Sequence, residues 1–281
     1  MSRVIEWLGS DESSLEYYNV IKSVLQKHGS LGISLSRHDD DEYDDNPIGY
    51  SLIENKLAML SISGGTISKT TGWSRYFNMI SYEDIRERLL EAADDSNVKA
   101  IVMKIDSSGG HAKGVSALAN TIKSISERIK PIFGYADGTL ASAALWYGTA
   151  GKQLISDSES EIGSLGVIAI HMEYTKMLEE QGIKPTVFRT SPFKALGTPY
   201  EKLTDEAAKS IQDNMQITHD SFVKHVADNR ELTAEYVQKN IATGKMYRVE
   251  EAKRLGLVDH VLSIDETVAR LLKGIDNSVA T

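Results

Sequence analysis

Short apolar runs alternate with amphipathic stretches along most of this chain, and that alternation predicts its fold class. Leu57 to Ile62 is a nearly unbroken apolar run that stops at Gly64-Gly65, which predicts a buried strand. Ala100 to Ile105 predicts a second strand, followed by Asp106-Ser107-Ser108-Gly109-Gly110. Pro131 to Tyr135, Gln153 to Ser156, Gly166 to Ile170 and Thr186 to Arg189 predict further short strands. Between them, Tyr82 to Asp94 places Ile85, Leu89 and Ala92 on one helical face, and Val115 to Ile129 reads as a helix. Another helix opens at Ser142, and Glu173 to Gln181 is a helix stopped by Gly182. Thr204 stands as the N-cap of a long helix with an apolar stripe of Ile211, Met215, Phe222 and Val226. Strands and helices alternating at this spacing predict an α/β domain with a mostly parallel sheet.

The pattern changes at both ends. Residues 1–35 read as a helical segment, because Leu15, Tyr18, Ile21, Leu25 and His28 recur at helical spacing. Residues 36–49 carry the acidic run from Asp39 to Asp45 and read as a solvated linker. A calcium loop fits poorly: the run lacks a glycine at the sixth position and a glutamate at the twelfth. The main domain is expected over 50–265, with a tail over 266–281. A length of 281 residues allows one sizeable core with a small appendage. The net charge of −9 argues against non-specific nucleic-acid binding. The lack of cysteine excludes disulfides, thiolate zinc sites and a cysteine nucleophile. Met1 to Trp7 has no apolar signal region, and no apolar run approaches the ~20 residues of a membrane span. A cytosolic protein, or one packaged in a particle assembled there, is expected.

Ser142, in Gly138-Thr139-Leu140-Ala141-Ser142-Ala143-Ala144, lies at a strand-to-helix turn among small neighbours. Such a serine is either a nucleophile or an ordinary helix cap. Gly109-Gly110, directly after a buried strand, is either a tight turn or a place where backbone N–H groups meet a carbonyl oxygen. With the N–H of Ala143, Gly110 would make a two-donor oxyanion hole. Lys194 lies among Phe193, Leu196 and Tyr200, which are candidate apolar cover. A lysine accepts a proton near neutral pH only when desolvation lowers its pKa. The seven histidines offer a commoner base, but His111 and His171 read as core or rim residues. No histidine pair has the i, i+4 spacing of a helical metal site, so neither a metal nor another cofactor is expected.

Five elements in order carry a resemblance: Asp106-Ser-Ser-Gly-Gly110, Ala141-Ser-Ala143, Gly163-Ser-Leu-Gly-Val167, the Lys194 loop, and Gly244-Lys-Met-Tyr247 with Gly256-Leu-Val-Asp259. Over roughly residues 50–265 the chain resembles the S49 serine peptidases, which include signal peptide peptidases and lambda-type phage prohead proteases. Gly64-Gly65-Thr66-Ile67-Ser68 and Thr198-Pro199-Tyr200 look like the prohead branch. The resemblance implies a ClpP/crotonase-like superhelical α/β fold in ring-like homo-oligomers. It implies Ser142 as nucleophile, Lys194 as general base and Gly110 with Ala143 as backbone oxyanion donors, with Gly109 and Ser164 supporting. The family usually has proline before the glycine pair, where this chain has Ser108. The implied substrates are scaffold, capsid or portal proteins in a host cytoplasm or prohead interior. A cellular peptidase, a crotonase-type acyl-CoA enzyme and a silent structural protein are the competing readings.

Overall fold

The computed structural model describes residues 6–9, 49–71, 74, 77 and 79–279. Its larger sheet contains β2 (Ser51–Ile53), β3 (Leu57–Ser63), β6 (Ala100–Ser107), β8 (Ile132–Ala141), β10 (Glu161–Gly163) and β12 (Met246–Arg248). Their order is β12-β10-β8-β6-β3-β2. The inner strands β3, β6, β8 and β10 run parallel, and the edges β2 and β12 are antiparallel. β9 (Gln153–Ser156) pairs in parallel with β8 and with β13 (His260–Val261). A smaller sheet has the order β11-β1-β7-β4-β5, from β1 (Glu6–Gly9), β4 (Thr66–Ile67), β5 (Ile80–Ser81), β7 (Gly109–His111) and β11 (Ile168–Ala169). The mostly parallel α/β arrangement expected from the apolar pattern is present.

A parallel sheet needs cover on both faces, and β6 shows it: Ala100, Ile101, Val102, Met103 and Ile105 are all buried. On one face Leu60, Ile62, Met103 and Ile105 meet α1 (Tyr82–Asp94), α2 (Val115–Arg128), α3 (Ala143–Gly148) and α5 (Asp205–Arg230). α4 (Thr175–Glu180) buries no residue. Ser81 caps α1 by accepting from Asp84 N–H, and Thr204 caps α5 by accepting from Ala207 N–H. Only the second half of the predicted α5 stripe is buried, at Phe222 and Val226. The chain continues through α6 (Ala234–Asn240) and α7 (Val249–Arg254). Arg230, at the end of α5, makes a two-pronged ion pair with Asp259 at 2.7 and 2.9 Å and also donates to Gly256 O.

Three expectations are corrected. Residues 266–279 are no tail but belong to α8 (Ile264–Val279). Its Leu271, Leu272 and Ile275 cover the second face of the sheet against Leu57, Val102, Phe133, Tyr135 and Ile155. The helical spacing of Val268, Leu271, Leu272 and Ile275 carries that signal. Residues 6–9 form a strand within the segment read as helical, because two neighbouring strands satisfy their backbone. The spacing from Leu15 to His28 and the acidic run lie outside the described residues. Thr186 to Arg189 forms no strand; without a ladder partner β-propensity alone does not make one, and Phe188 is 91% exposed.

Candidate active site

The carboxyl ends of parallel strands form the crevice where α/β proteins place their chemistry. Here β6 ends at Ser107, β8 at Ala141 and β10 at Gly163, side by side. The strand leading to Ser142 is longer than the apolar run suggested, because it changes partners midway. Phe133 to Ala136 pairs with β9, whereas Thr139 to Ala141 pairs with β10. The register against β6 shifts between Ile105 and Ser107. Gly138 makes the kink at φ 116°, and a Cβ there would stand 2.9 Å from the Asp106 carboxylate. Asp106 accepts from Thr139 N–H at 2.9 Å, and Ser160 Oγ accepts from Gly138 N–H at 3.0 Å. These bonds hold a bulge that aims the end of β8 at the crevice.

Ser142 follows directly with φ 52° and ψ −119°, a conformation that disfavours any residue with a Cβ. Its N–H donates to Gly163 O at 2.9 Å, and its carbonyl accepts from Trp146 N–H at 3.1 Å. The residue is 1% exposed. Unlike Ser81 and Thr204, its side chain makes no capping bond to the helix that follows. The ordinary cap reading therefore fails: the backbone is strained and the hydroxyl is not spent on α3. That helix is anchored behind the serine, with the Trp146 ring stacked on Phe222 of α5 at 4.6 Å between centroids.

Gly109 and Gly110 lie on β7, beside β4. A Cβ on Gly110 would stand 1.7 Å from Thr66 O, so the close approach of two backbones requires glycine there. Several side chains that sequence reasoning did not single out fix this strand. Ser107 Oγ accepts from Gly109 N–H at 3.2 Å and donates to Gly64 O at 2.6 Å. Thr66 Oγ1 donates to Gly109 O at 3.2 Å, and the Tyr82 hydroxyl donates to His111 O at 2.6 Å. Burial pushes the Tyr82 phenol up, more than its contact with Thr66 lowers it, so it stays a donor. Burial pushes the His111 imidazole down, which favours the neutral ring. Thr66, inside the Gly64-Gly65-Thr66 motif, and Ser107, inside Asp106-Ser-Ser-Gly-Gly110, stood in quoted motifs, but nothing in the sequence gave either side chain this role.

Ser164 also adopts a positive φ, 50°, and its N–H donates to Lys245 O at 2.7 Å. A Cβ on Gly163 would stand 2.3 Å from the same carbonyl. Since Ala141 and Gly163 are register partners, Ser142 and Ser164 leave adjacent strand ends. Ser142, Ala143, Gly109, Gly110 and Ser164 are thus gathered around these strand ends and the β7 strand beside them.

Lys194 is not joined to them within one chain. It is exposed, in a turn where Ala195 and Gly197 have φ 61° and 72°, and no hydrogen bond links it to Ser142 among the described residues. The expected apolar cover is open, with Phe193 63% and Tyr200 49% exposed. Ile170, Met172, Met177, Ile183, Phe188 and Ile217 are exposed in the same stretch of chain. Among the described residues no helix is long and apolar enough to cross a membrane.

Comparison with known proteins agrees with the elements described. The model of peptidase family S49 matches residues 124–277. Capsid assembly protease C of Escherichia phage lambda is 28% identical over 224 residues, 80% of this chain and 50% of that protein. The head-tail preconnector protein GP5 of Enterobacteria phage P21 is 28% identical over 170 residues, 60% of this chain and 34% of that protein. A chloroplastic serine protease SPPA of Arabidopsis thaliana is 25% identical over 213 residues, 74% of this chain and 31% of that protein. The chain thus spans half or less of the length of these three relatives. With more than half of its residues matched by one family model, the chain belongs to peptidase family S49.

Proposed function

We propose that the chain is a serine endopeptidase in which Ser142 attacks the peptide carbonyl and Lys194 is the general base. The observation that carries this reading is Ser142 itself: buried, held at φ 52° on the crevice end of β8, with a hydroxyl that caps nothing. Neutral Lys194 takes the hydroxyl proton as Oγ bonds to the substrate carbonyl carbon. The carbonyl oxygen gains the negative charge, and the N–H groups of Gly110 and Ala143 receive it. The protonated lysine then gives its proton to the departing amine, and water releases the acyl group by the same steps in reverse order. Gly109 and Ser164 shape this site as supporting residues.

An exposed lysine is a poor base, because water stabilises its charged form. The proposal therefore includes a homo-oligomer whose contacts cover the apolar residues between Ile170 and Ile217, remove Lys194 from water and complete the site. The ClpP/crotonase-like superhelical fold belongs to the same proposal, supported by the parallel inner strands and the helices crossing between them. The names of the phage relatives, a capsid assembly protease and a head-tail preconnector protein, support a role in capsid assembly, and the proposal extends this to capsid, scaffold or portal proteins as substrates inside a prohead.

Intact mass after reaction with a fluorophosphonate tests the chemistry. One adduct is expected on the wild type and none on Ser142→Ala or Lys194→Ala. An adduct that persists in Ser142→Ala would refute the assignment of the nucleophile.

A further inference from the structure

The smaller sheet holds a strand that its own connectivity does not explain. β7 carries Gly109 and Gly110 and follows β6 after one residue, and β11 follows Ser164 by four residues. Both therefore flank the strand ends that hold Ser142 and Ser164. They are not paired with each other: β1 lies between them, antiparallel to both. Trp7 is opposite His111 on one side and Ile168 on the other, Leu8 is opposite Gly110, and Gly9 is opposite Gly109. Adjacent strands lie about 4.8 Å apart, so without β1 two strand edges would face each other across about 10 Å. Such a slot fits one extended chain, which both edges would bind through main-chain hydrogen bonds.

We propose that residues 6–9 occupy the peptide-binding slot of this chain as an internal pseudosubstrate. The inference rests on Ser142 being the nucleophile. β1 runs from Trp7 opposite His111 to Gly9 opposite Gly109, so Leu8 and Gly9 lie directly beside the glycine pair assigned to the oxyanion. An extended substrate would need the same β7 and β11 edges and must displace β1 to use them. Main-chain pairing gives affinity at this slot, and β1 sets the level of competition each substrate has to overcome.

The absence of native cysteine permits a clean test in the full chain. Trp7 and Ile168 are directly opposed across β1 and β11, and opposed antiparallel residues have Cα atoms about 4.5–5.5 Å apart, within disulfide range. In the double variant Trp7→Cys/Ile168→Cys, mild oxidation should form an intramolecular disulfide, read by mass. It should slow labelling of Ser142 by a peptidyl phosphonate about ten-fold or more, with reduction restoring the rate. The full-length variant Leu8→Pro, which loses a main-chain donor, should be labelled faster than the wild type. A fluorescent peptide carrying residues 3–12 should bind the reduced double variant more tightly than the oxidised one. The pseudosubstrate is refuted if no disulfide forms, or if the disulfide forms and leaves both labelling and peptide binding unchanged. If Ser142 is labelled in no form, the nucleophile assignment fails, and the disulfide with the peptide arm still decides who occupies the slot.

Discussion

Strain at Ser142 is measurable apart from chemistry, by comparing Ser142→Ala with Ser142→Gly. Both remove the hydroxyl, so both should abolish peptidase activity and probe labelling. They differ in backbone freedom. At φ 52° and ψ −119° a residue with a Cβ is strained by about 1–3 kcal/mol. Glycine relieves that strain but loses about 0.5–1 kcal/mol more than alanine through the entropy of the unfolded chain. The difference leaves the glycine variant more stable by about 1 kcal/mol, or about 2–4 °C in Tm for a domain of this size. Equilibrium denaturation of the two variants, with thermal scans, reads it directly. Glu231→Gly serves as a control, since Glu231 has the ordinary left-handed values φ 55° and ψ 35° at the end of α5; a smaller gain and no loss of activity are expected. If Ser142→Ala exceeds Ser142→Gly in stability by about 0.5–1 kcal/mol, the amount that glycine loses in chain entropy, the strand-end turn stores no strain and the argument from backbone geometry falls.

Arg230→Ala should destabilise the fold by about 1–3 kcal/mol, because it removes the guanidinium hydrogen bonds of the Asp259 carboxylate, which is 29% exposed and can take up water in their place. Burial pushes the Asp259 carboxyl up, but the hydrogen bonds and charge of Arg230 with the Leu154 N–H outweigh it and hold the group below the usual carboxylate range. Its folded-state pKa is thus depressed, so this stabilisation is present above the unfolded carboxylate pKa and is lost as pH falls through the folded value; urea midpoints of wild type and Arg230→Ala should converge in acid. Tyr82→Phe removes the donor to His111 O and should cost about 1–2 kcal/mol, while slowing probe labelling of Ser142 by loosening β7; unchanged labelling in the folded variant would show that this bond does not position the strand. Leu272→Ala should cost about 2–3 kcal/mol in denaturant titrations if α8 belongs to the fold, and close to nothing if it is an undocked tail.

Much of this protein was determined by local pattern. The apolar runs at Leu57 and Ala100 are strands because β-branched and aliphatic residues fill a sheet covered on both faces, and Ile85, Leu89 and Ala92 form a helix face because their period is that of a helix. Thr204 and Gly182 mark their helix boundaries through capping and a positive φ, which are local effects. The place of Ser142 between strand and helix was legible for the same reason. Tertiary structure decided what local pattern does not encode. The bulge that redirects β8 depends on Asp106 and Ser160 from neighbouring segments. The extended conformation of residues 6–9 depends on two strands more than 90 residues away in the chain. Thr186 to Arg189, with comparable β-propensity, has no such partners and stays out of the sheet. A strand is a property of a pair, and the partner is chosen by the whole fold. The exposure of Lys194 follows the same logic, since a side chain leaves water only when other surfaces come to cover it.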